Sequence, residues 1–309
     1  MENSYLLHDI VGQEKAVHFL KSYLTDPVKI PPLLIFHGPS SVGKESMADR
    51  FSRQLLCFTG TSCGICKSCK SFNTGLHPDF IVFPSTSDKK IKIGDPKNPV
   101  EFTIRWLQKT RINFIPHLSK YRIVLFPDAS LIEDEAESAM LKILEESPSH
   151  TKYIFIVKNL NELKETIVSR GVCIPFKNLS IQTNRELHRA KGLVYENFFG
   201  GSIGCFSIPF EIIESVKYEV EENIRQPVLR IQLENWIRNY DIPKEYEGEF
   251  SYSDFLDLIS LLIIDDLAKE DIDKNLDKIL KVFEFKKNLH KKIPGLDPYL
   301  ISKLFFDIA

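Results

Sequence analysis

The sequence predicts an α/β domain with a parallel sheet, followed by a small helical segment and an all-helical C-terminal domain. Three observations support this fold class. Helical patterns separate five short apolar runs: LLIF (33–36), FIVF (80–83), RIVLF (122–126), YIFIV (153–157) and VCI (172–174). A phosphate-loop-like sequence joins the first run to a helix, and no strand pattern follows Pro209. Apolar runs that alternate with helices are typical of a parallel sheet covered on both faces.

Apolar residues that recur at helical spacing predict the helices. A first helix is expected to begin near Gly12–Gln13, and a later one is expected to end before Pro148. The helical patterns cover residues 45–56, 99–110, 135–146, 210–240, 252–269 and 276–289. We therefore predict three parts: an α/β domain (1–176), a small helical part (177–209) and a helical C-terminal domain (210–309).

Composition bounds the function classes. The 309 residues are 43% hydrophobic and 27% charged, which is typical of a folded globular protein, and the formal net charge is −2. This charge excludes a global basic field for nucleic acid, so any DNA contact would be local or made by partners. The N-terminus lacks the pattern of a signal peptide, and the longest apolar stretch, Phe255–Ile264, contains Asp257. We expect a cytoplasmic protein with no membrane partner.

The stretch HGPSSVGKES nearly matches the phosphate-loop template G-x-x-x-x-G-K-[ST]. Gly38, Gly43 and Lys44 fit, but Glu45 occupies the position of the Mg²⁺-binding hydroxyl. Ser46 comes one residue late, and one helical step rotates it by about 100°. We predict a degenerate nucleotide-binding loop. Lys44 is either solvated or ion-paired, or it still binds phosphate weakly, since backbone N–H groups at a helix start favour anions.

Four cysteines within thirteen residues predict a metal site. Cys63, Cys66 and Cys69 have the spacing C-x₂-C-x₂-C, and Cys57 supplies a fourth thiolate from the end of the preceding helix. Four thiolates form the closed tetrahedral site of structural Zn²⁺. An iron–sulfur cluster or unmetallated thiols are the alternatives. The two isolated cysteines are expected to be small core residues; they are Cys173 and Cys205.

Eight motifs in order along the chain resemble the AAA+ subunits of bacterial DNA polymerase III clamp loaders, and most of all the delta-prime subunits among them. They are VGQ (11–13), the loop at 38–46, the cysteine insert at 57–69, HPDF (77–80), AMLKILEESP (139–148), SRG (169–171), GGSIG (200–204) and LDPYLISKLFFDIA (296–309). The resemblance implies an AAA+ P-loop domain, a helical lid and an α-helical collar domain over the three predicted parts. It also favours zinc in the insert.

Some subunits of this family hydrolyse ATP, and the resemblance implies that this one does not. Catalytic members follow the third strand with Asp-Glu, where this chain has Pro127 and Asp128. Gly204 stands where they have a phosphate-sensing arginine, and Ser41 stands where they have a glycine. Together with Glu45, these differences remove Mg²⁺ and water-positioning groups that hydrolysis needs. We expect Asp128 to be a turn or cap residue, and whether ATP binds at all stays open.

Arg170 matches the arginine of the family's Ser-Arg-Cys motif, although Gly171 replaces the cysteine. In the family this arginine reaches the ATP site of a neighbouring subunit. The resemblance thus implies a non-hydrolysing structural subunit that donates Arg170 to a neighbour. Its expected partners are gamma/tau ATPases and the delta subunit, with the sliding clamp and primer–template DNA contacted through the complex. The alternatives are an active gamma/tau-like ATPase subunit and a zinc-dependent DNA-binding module.

Overall fold

The fold was determined as a computed structural model, in which the chain forms two compact units, Met1–Leu179 and Ser180–Ala309. The structure describes residues 6–39, 42–85, 90–190, 210–224, 227–244, 252–288, 300–301 and 303–305. Ser41, Gly204 and Cys205, for which the sequence carries predictions, lie outside these residues. The boundaries proposed at 177 and 210 remain predictions, because the division into two units does not test a separate lid.

The first unit is built on a five-stranded parallel sheet in the order β2-β3-β4-β1-β5. The strands are β1 (Leu33–His37), β2 (Phe80–Val82), β3 (Arg122–Phe126), β4 (Thr151–Val157) and β5 (Gly171–Pro175). All five predicted strands are present, and the predicted α/β class is confirmed. Every residue of β3 and β4 is buried, which explains why these strands are continuous apolar runs in the sequence.

Six helices cover the sheet of the first unit within the described residues: α1 (Glu14–Thr25), α2 (Lys44–Leu56), α3 (Lys67–Asn73), α4 (Ile104–Leu107), α5 (Asp134–Glu145) and α6 (Glu165–Val168). The helix predicted over 99–110 begins later, at Ile104. Phe102 has a φ of +60°, and the Thr103 hydroxyl accepts a hydrogen bond from the Trp106 N–H, which fixes the helix start at Ile104.

Successive residues of β1, an interior strand of the sheet, pack into two separate cores. Leu33 and Ile35 of β1 pack into one hydrophobic cluster, and Leu34 and Phe36 pack into another. Because side chains alternate across a strand, both faces of the sheet are covered. The sheet is therefore a rigid frame, and the segments that leave its strand ends are held in fixed places.

The carboxyl ends of the three strands β1, β3 and β4 meet at one edge of the sheet. They lead into Gly38, Pro127 and Lys158, and these strands are neighbours in the order β3-β4-β1. Ligands of open parallel sheets bind at this edge. The degenerate phosphate loop predicted from the sequence follows β1, so it lies at this edge of the sheet.

Arg170 lies at the opposite edge, because it directly precedes β5. Gly171, the first residue of β5, pairs with Leu33, the first residue of β1. Gly38 follows the far end of β1, five residues on, which is about 16 Å along the strand. The loop and Arg170 are therefore separated by the full length of the sheet.

The described part of the second unit is mainly helical and includes α7 (Ile181–Ala190), α8 (Phe210–Asn223), α9 (Pro227–Arg238), α10 (Tyr252–Glu270) and α11 (Ile272–Asn288). The helix predicted over 210–240 is two helices, and Pro227 begins the second, where its missing N–H is not needed. Phe255 and Val282 belong to an apolar core formed by residues of α8, α9, α10 and α11 with apolar residues between 300 and 305. Among the described helices, none is both long and apolar enough to cross a membrane.

Candidate functional site

The loop between β1 and α2 depends on two glycines. Gly38 has a φ of +142°, and a Cβ built on it would lie 2.2 Å from the carbonyl oxygen of Phe176. Gly43 has a φ of +91° and is the residue before α2, with open space where a Cβ would stand. Both conformations favour glycine, and Gly38 also lacks room for any side chain. The two glycines thus shape the two ends of the loop.

Lys44 is folded back onto its own loop. Its Nζ donates hydrogen bonds to the carbonyl oxygens of Gly38 at 2.6 Å and Pro39 at 2.5 Å, and the residue is only 7% exposed. Burial, followed by the charge of Lys158, lowers the pKa of Lys44 to about 8, against the opposing effect of nearby carboxylates such as Glu162. An ammonium has three donors. Two of them are used by the loop itself, so a phosphate would compete with these carbonyls.

The two residues after Lys44 point outward. Glu45 and Ser46 are both exposed on the first turn of α2. Ser46 is therefore not buried beside Lys44, as its helical offset predicts.

Asp128 is a cap residue, as predicted. Its Oδ1 accepts the backbone N–H of Ser130 at 3.0 Å and begins the short 3₁₀ turn Ala129–Leu131. Asp128 is also near enough to raise the pKa of Lys44 and that of Glu162 by its charge. The charge of the Asp128 carboxylate therefore acts on Lys44, while the hydrogen bond of this carboxylate stabilises the turn after β3.

Sequence reasoning missed Glu162, which lies in the loop after β4. Its side chain is 9% exposed, and its Oε2 accepts the backbone N–H of Lys158 at 3.1 Å. Burial is the main reason why the pKa of Glu162 is raised. No sequence pattern marks this glutamate, because its burial depends on how the loop after β4 packs beside Lys44.

Gln13 connects three segments around the loop. Its Nε2 donates to the carbonyl oxygens of Lys177 at 2.6 Å and Val42 at 3.3 Å, and its Oε1 accepts the Lys177 N–H at 3.2 Å. The buried amide therefore fixes the start of α1 against the phosphate-loop-like segment and the chain after β5. Gln13 belongs to the motif VGQ, which sequence reasoning noted without assigning a role to this residue.

The structure brings the four predicted cysteines together. The Sγ atoms of Cys57, Cys63, Cys66 and Cys69 all lie within 4.8 Å of one another, and those of Cys57 and Cys63 are 3.7 Å apart. Four thiolates at the usual Zn–S distance of about 2.3 Å form a tetrahedron with edges of about 3.8 Å. The donor set and its spacing fit a structural metal such as zinc. Cys173 packs separately, beside the core.

Hydrogen bonds prepare part of this cluster for the thiolate form. Burial opposes ionisation of Cys57, but hydrogen bonds from Thr59 and from the backbone N–H of Cys63 lower its pKa below the ordinary value. Burial raises the pKa of the Cys69 thiol. A bound cation would favour the ionised form of all four thiols.

The motif HPDF anchors the cysteine insert to the sheet. Ser68 on α3 donates to the carbonyl oxygen of Leu56 at 2.7 Å and lies 2.9 Å from the Nε2 of His77. The carboxylate of Asp79 accepts backbone N–H groups from three successive residues, at 2.6–2.8 Å; these are His117, Leu118 and Ser119. The motif is therefore a buried polar network that joins α3 to the loop before β3, a role that sequence reasoning did not assign.

Arg170 is exposed and held by its own chain. Its Nε and Nη2 donate to the Oε1 of Glu145 at 3.0 and 2.5 Å, and its Nη1 donates to the carbonyl oxygen of Thr166 at 2.7 Å. The side chain is 37% exposed. A Cβ at Gly171 would lie 2.7 Å from the Cδ1 of Ile35, so glycine at this position lets β5 approach β1 closely.

Comparison with known proteins identifies the family. A family model described as "DNA polymerase III, delta subunit" matches residues 12–180, more than half of the chain. The chain belongs to this family of clamp-loader subunits. The matched residues include the loop, the four cysteines and Arg170.

Two proteins similar to this clamp-loader subunit are subunits of different kinds. The chain is 28% identical over 206 residues to DNA polymerase III subunit tau/gamma of Haemophilus influenzae, covering 66% of this chain and 27% of that protein. It is 31% identical over 142 residues to DNA polymerase III subunit delta′ of Pseudomonas aeruginosa, covering 45% of this chain and 40% of that protein. Each match thus spans less than half of the relative's own length.

One solved structure similar to this clamp-loader subunit is a DNA polymerase III gamma subunit-related protein of Thermotoga maritima. The two are 14% identical with a TM-score of 0.43, and the match covers 94% of this chain and 99% of that one. The family model, which matches more than half of the chain, establishes a clamp-loader subunit. Which kind of subunit it is depends on the residues at the two sheet edges.

Proposed function

We propose that this clamp-loader subunit is a delta-prime-like structural subunit, which does not hydrolyse ATP but donates Arg170 to the ATP site of a neighbouring subunit. The observation that supports this proposal most is the difference in burial and hydrogen bonding between the two cationic side chains, Lys44 and Arg170. Lys44 is buried and bonded to its own loop, whereas Arg170 is exposed at the opposite edge of the sheet.

The absence of hydrolysis follows from the residues around Lys44. Hydrolysis of a nucleoside triphosphate needs a hydroxyl and a carboxylate that hold Mg²⁺, and a group that orients water. Glu45 replaces the hydroxyl, Pro127 replaces the first carboxylate, and Asp128 bonds to the turn that follows it. Weak binding of a nucleotide or another anion remains compatible with Gly38, Gly43 and Lys44, and it would require Lys44 to leave its carbonyl partners.

Action on a neighbour follows from the position of Arg170. Its place before β5 puts it about 16 Å along the sheet from its own loop. A guanidinium at that distance cannot serve the nucleotide of its own chain, but its exposed position lets it meet another subunit. There it would neutralise charge on the transferring phosphoryl group.

The four cysteines would hold Zn²⁺ through Cys57, Cys63, Cys66 and Cys69 as a structural ion. The closed set of thiolates leaves no position for a water molecule, so the ion stabilises the insert rather than performing chemistry. The partners we propose are gamma/tau ATPases and delta, with the sliding clamp and primer–template DNA reached through the complex.

The first experiment measures ATP hydrolysis by the isolated chain. We expect a rate at background, with no difference between the wild type and Lys44→Ala. Substantial turnover that Lys44→Ala abolishes would instead establish an active gamma/tau-like ATPase. That second candidate is favoured by the tau/gamma relative, whose match covers 66% of this chain.

The second experiment places Arg170→Ala in a reconstituted clamp loader. Hydrolysis at the neighbouring site should fall about 10³-fold or more, so the loader loses that site's share of its DNA-stimulated rate. Assembly should be intact by size-exclusion chromatography. Lys142→Ala, which removes an exposed cation from α5, is the matched control and should leave the rate unchanged. An unchanged rate with Arg170→Ala would contradict the role of this arginine.

A further inference from the structure

The Arg170 side chain is held by Glu145, a residue of the separate helix α5. Two guanidinium nitrogens of Arg170 donate to the same carboxylate oxygen, Oε1 of Glu145, while the third contact goes to the carbonyl oxygen of Thr166. Thr166 lies on α6, four residues before Arg170 in the same segment. Glu145 lies on α5, 25 residues earlier in the chain. The Glu145 carboxylate therefore fixes where Arg170 points relative to the sheet.

The position of Glu145 in its helix is electrostatically unfavourable. It is the last residue of α5, and Glu146 follows as the cap residue. The carboxyl end of a helix carries partial negative charge, so a carboxylate is disfavoured there and a cation is favoured. Arg170 supplies that cation from outside the helix. The ion pair thus compensates a charge that the helix alone disfavours.

Two further ion pairs, both made by Lys164, fix the other end of the same segment. Lys164, just before α6, lies 3.4 Å from the carboxylate of Asp134 and 3.3 Å from that of Glu137, both on the first turn of α5. The segment from Lys164 to Arg170 is therefore attached to α5 at both ends. The Lys164 end includes the buried Glu137, whereas the Arg170 end is exposed on both partners.

We propose that Glu145 is a positioning residue that holds Arg170 on its own chain until a neighbour's nucleotide takes the guanidinium. The proposal rests on the proposed function, because it concerns the same arginine. An exposed arginine–carboxylate pair is weak and exchanges readily. A triphosphate offers several anionic oxygens in place of the one that Glu145 offers. Release needs rotation of the Arg170 side chain only, since the Lys164 end keeps α6 on α5.

The test uses reconstituted clamp loaders with the wild-type chain or one variant: Glu145→Gln, Glu146→Gln, Arg170→Ala or Glu145→Gln with Arg170→Ala. ATP hydrolysis is measured without DNA and clamp, and again with both, to obtain kcat and KM. Glu145→Gln should raise kcat without DNA about two- to fivefold, the range expected for loss of an exposed ion pair. It should leave the DNA-stimulated kcat unchanged. Glu146→Gln, the neighbouring exposed carboxylate, should match the wild type.

The double variant shows whether the effect passes through Arg170. It should have the same rates as Arg170→Ala alone. A double variant faster than Arg170→Ala would show that Glu145 acts elsewhere, and a Glu145→Gln loader slower than the wild type would show that Glu145 aims Arg170 productively. Either result would overturn the proposal.

The two proposals fail in distinguishable ways. If Arg170→Ala lowers the stimulated rate but Glu145→Gln equals Glu146→Gln without DNA, the holding role of Glu145 is wrong and the arginine donation stands. If Arg170→Ala leaves every rate unchanged, the proposed function itself is wrong, and the proposal for Glu145 falls with it.

Discussion

The two edges of the sheet differ in how far they bury a cationic side chain. At the carboxyl edge, Lys44 is 7% exposed and uses its ammonium to close its own loop. At the amino edge, the Arg170 side chain is 37% exposed and is paired with a carboxylate that is 52% exposed. Both cations lie next to a strand end of one rigid sheet, so the difference comes from their immediate surroundings.

Burial decides which of the two can serve a partner. Lys44 is desolvated, and its ammonium donates to two carbonyl oxygens of its own loop. Breaking these hydrogen bonds would leave buried polar groups without partners. Arg170 can exchange Glu145 for another anion at little cost, because water already screens the pair. The Lys44 ammonium is thus part of the folded loop at the carboxyl edge, while the Arg170 guanidinium at the amino edge is accessible for an interaction. Three changes in the free energy of unfolding test this comparison.

The largest effect is expected for Gly38→Ala. The new Cβ would stand 2.2 Å from the carbonyl oxygen of Phe176, at a φ of +142° that L residues rarely adopt. Backbone strain and overpacking together should destabilise the first unit by about 2–5 kcal/mol. Gly43→Ala is the matched control: its φ of +91° is also positive, but nothing lies within 4 Å of the new Cβ. It should cost only about 1–2 kcal/mol.

Urea unfolding followed by tryptophan fluorescence measures both variants. The chain has two tryptophans, Trp106 in the first unit and Trp236 in the second. In a Trp236→Phe background the signal reports the first unit through Trp106, which packs against Phe102. Equal losses for the two glycine variants would show that the close approach to Phe176 contributes nothing, and the carboxyl edge would be less rigid than we infer.

The second effect is a dependence of stability on pH that comes from Lys44. Its pKa is about 8 in the folded chain, against 10.5 ordinarily. Between these values the unfolded chain binds a proton that the folded chain has lost, so stability should rise with pH across this window. The full rise is about 3 kcal/mol or less. Below pH 8 Lys44 is charged in both states and contributes no slope.

Lys44→Met isolates this contribution from other groups that titrate above pH 8. Urea unfolding of the first unit is measured from pH 7 to 10.5 for both chains, and the difference is plotted against pH. The wild type should gain stability relative to Lys44→Met as pH rises from about 8. A constant difference would mean that Lys44 is solvated, as one of the two sequence-based readings of this lysine holds.

The interior strands of the sheet were predictable because β1, β3 and β4 are short and buried on both faces. RIVLF is β3 residue for residue, and YIFIV differs from β4 only by two residues at its start, Thr151 and Lys152. Lys152 is a charged residue in a buried strand, and its Nζ donates to the carbonyl oxygen of Ile30, a contact that no local pattern encodes. Helix starts were less predictable, since α4 begins where the Thr103 cap and the Phe102 backbone place it.

The candidate sites were predictable where chemistry fixes spacing. Cysteine spacing indicated the cluster, and glycine spacing indicated the loop. The lowered pKa of Lys44 was not predictable, because it depends on burial and on the charge of Lys158, which follows another strand. The pairing of Arg170 with Glu145 was hidden for the same reason: the residues are 25 apart and meet only once β4, β5 and α5 are assembled.

The smallest effect is expected for Arg170→Ala. Its loss removes an exposed ion pair and one contact to the Thr166 carbonyl, so the first unit should lose no more than about 1 kcal/mol. The same unfolding assay, read through Trp106, compares it directly with Gly38→Ala. A loss as large as that of Gly38→Ala would make Arg170 a structural residue of the sheet edge. The difference between the two edges would then disappear, because a side chain that the fold needs in place is not free to serve a neighbour.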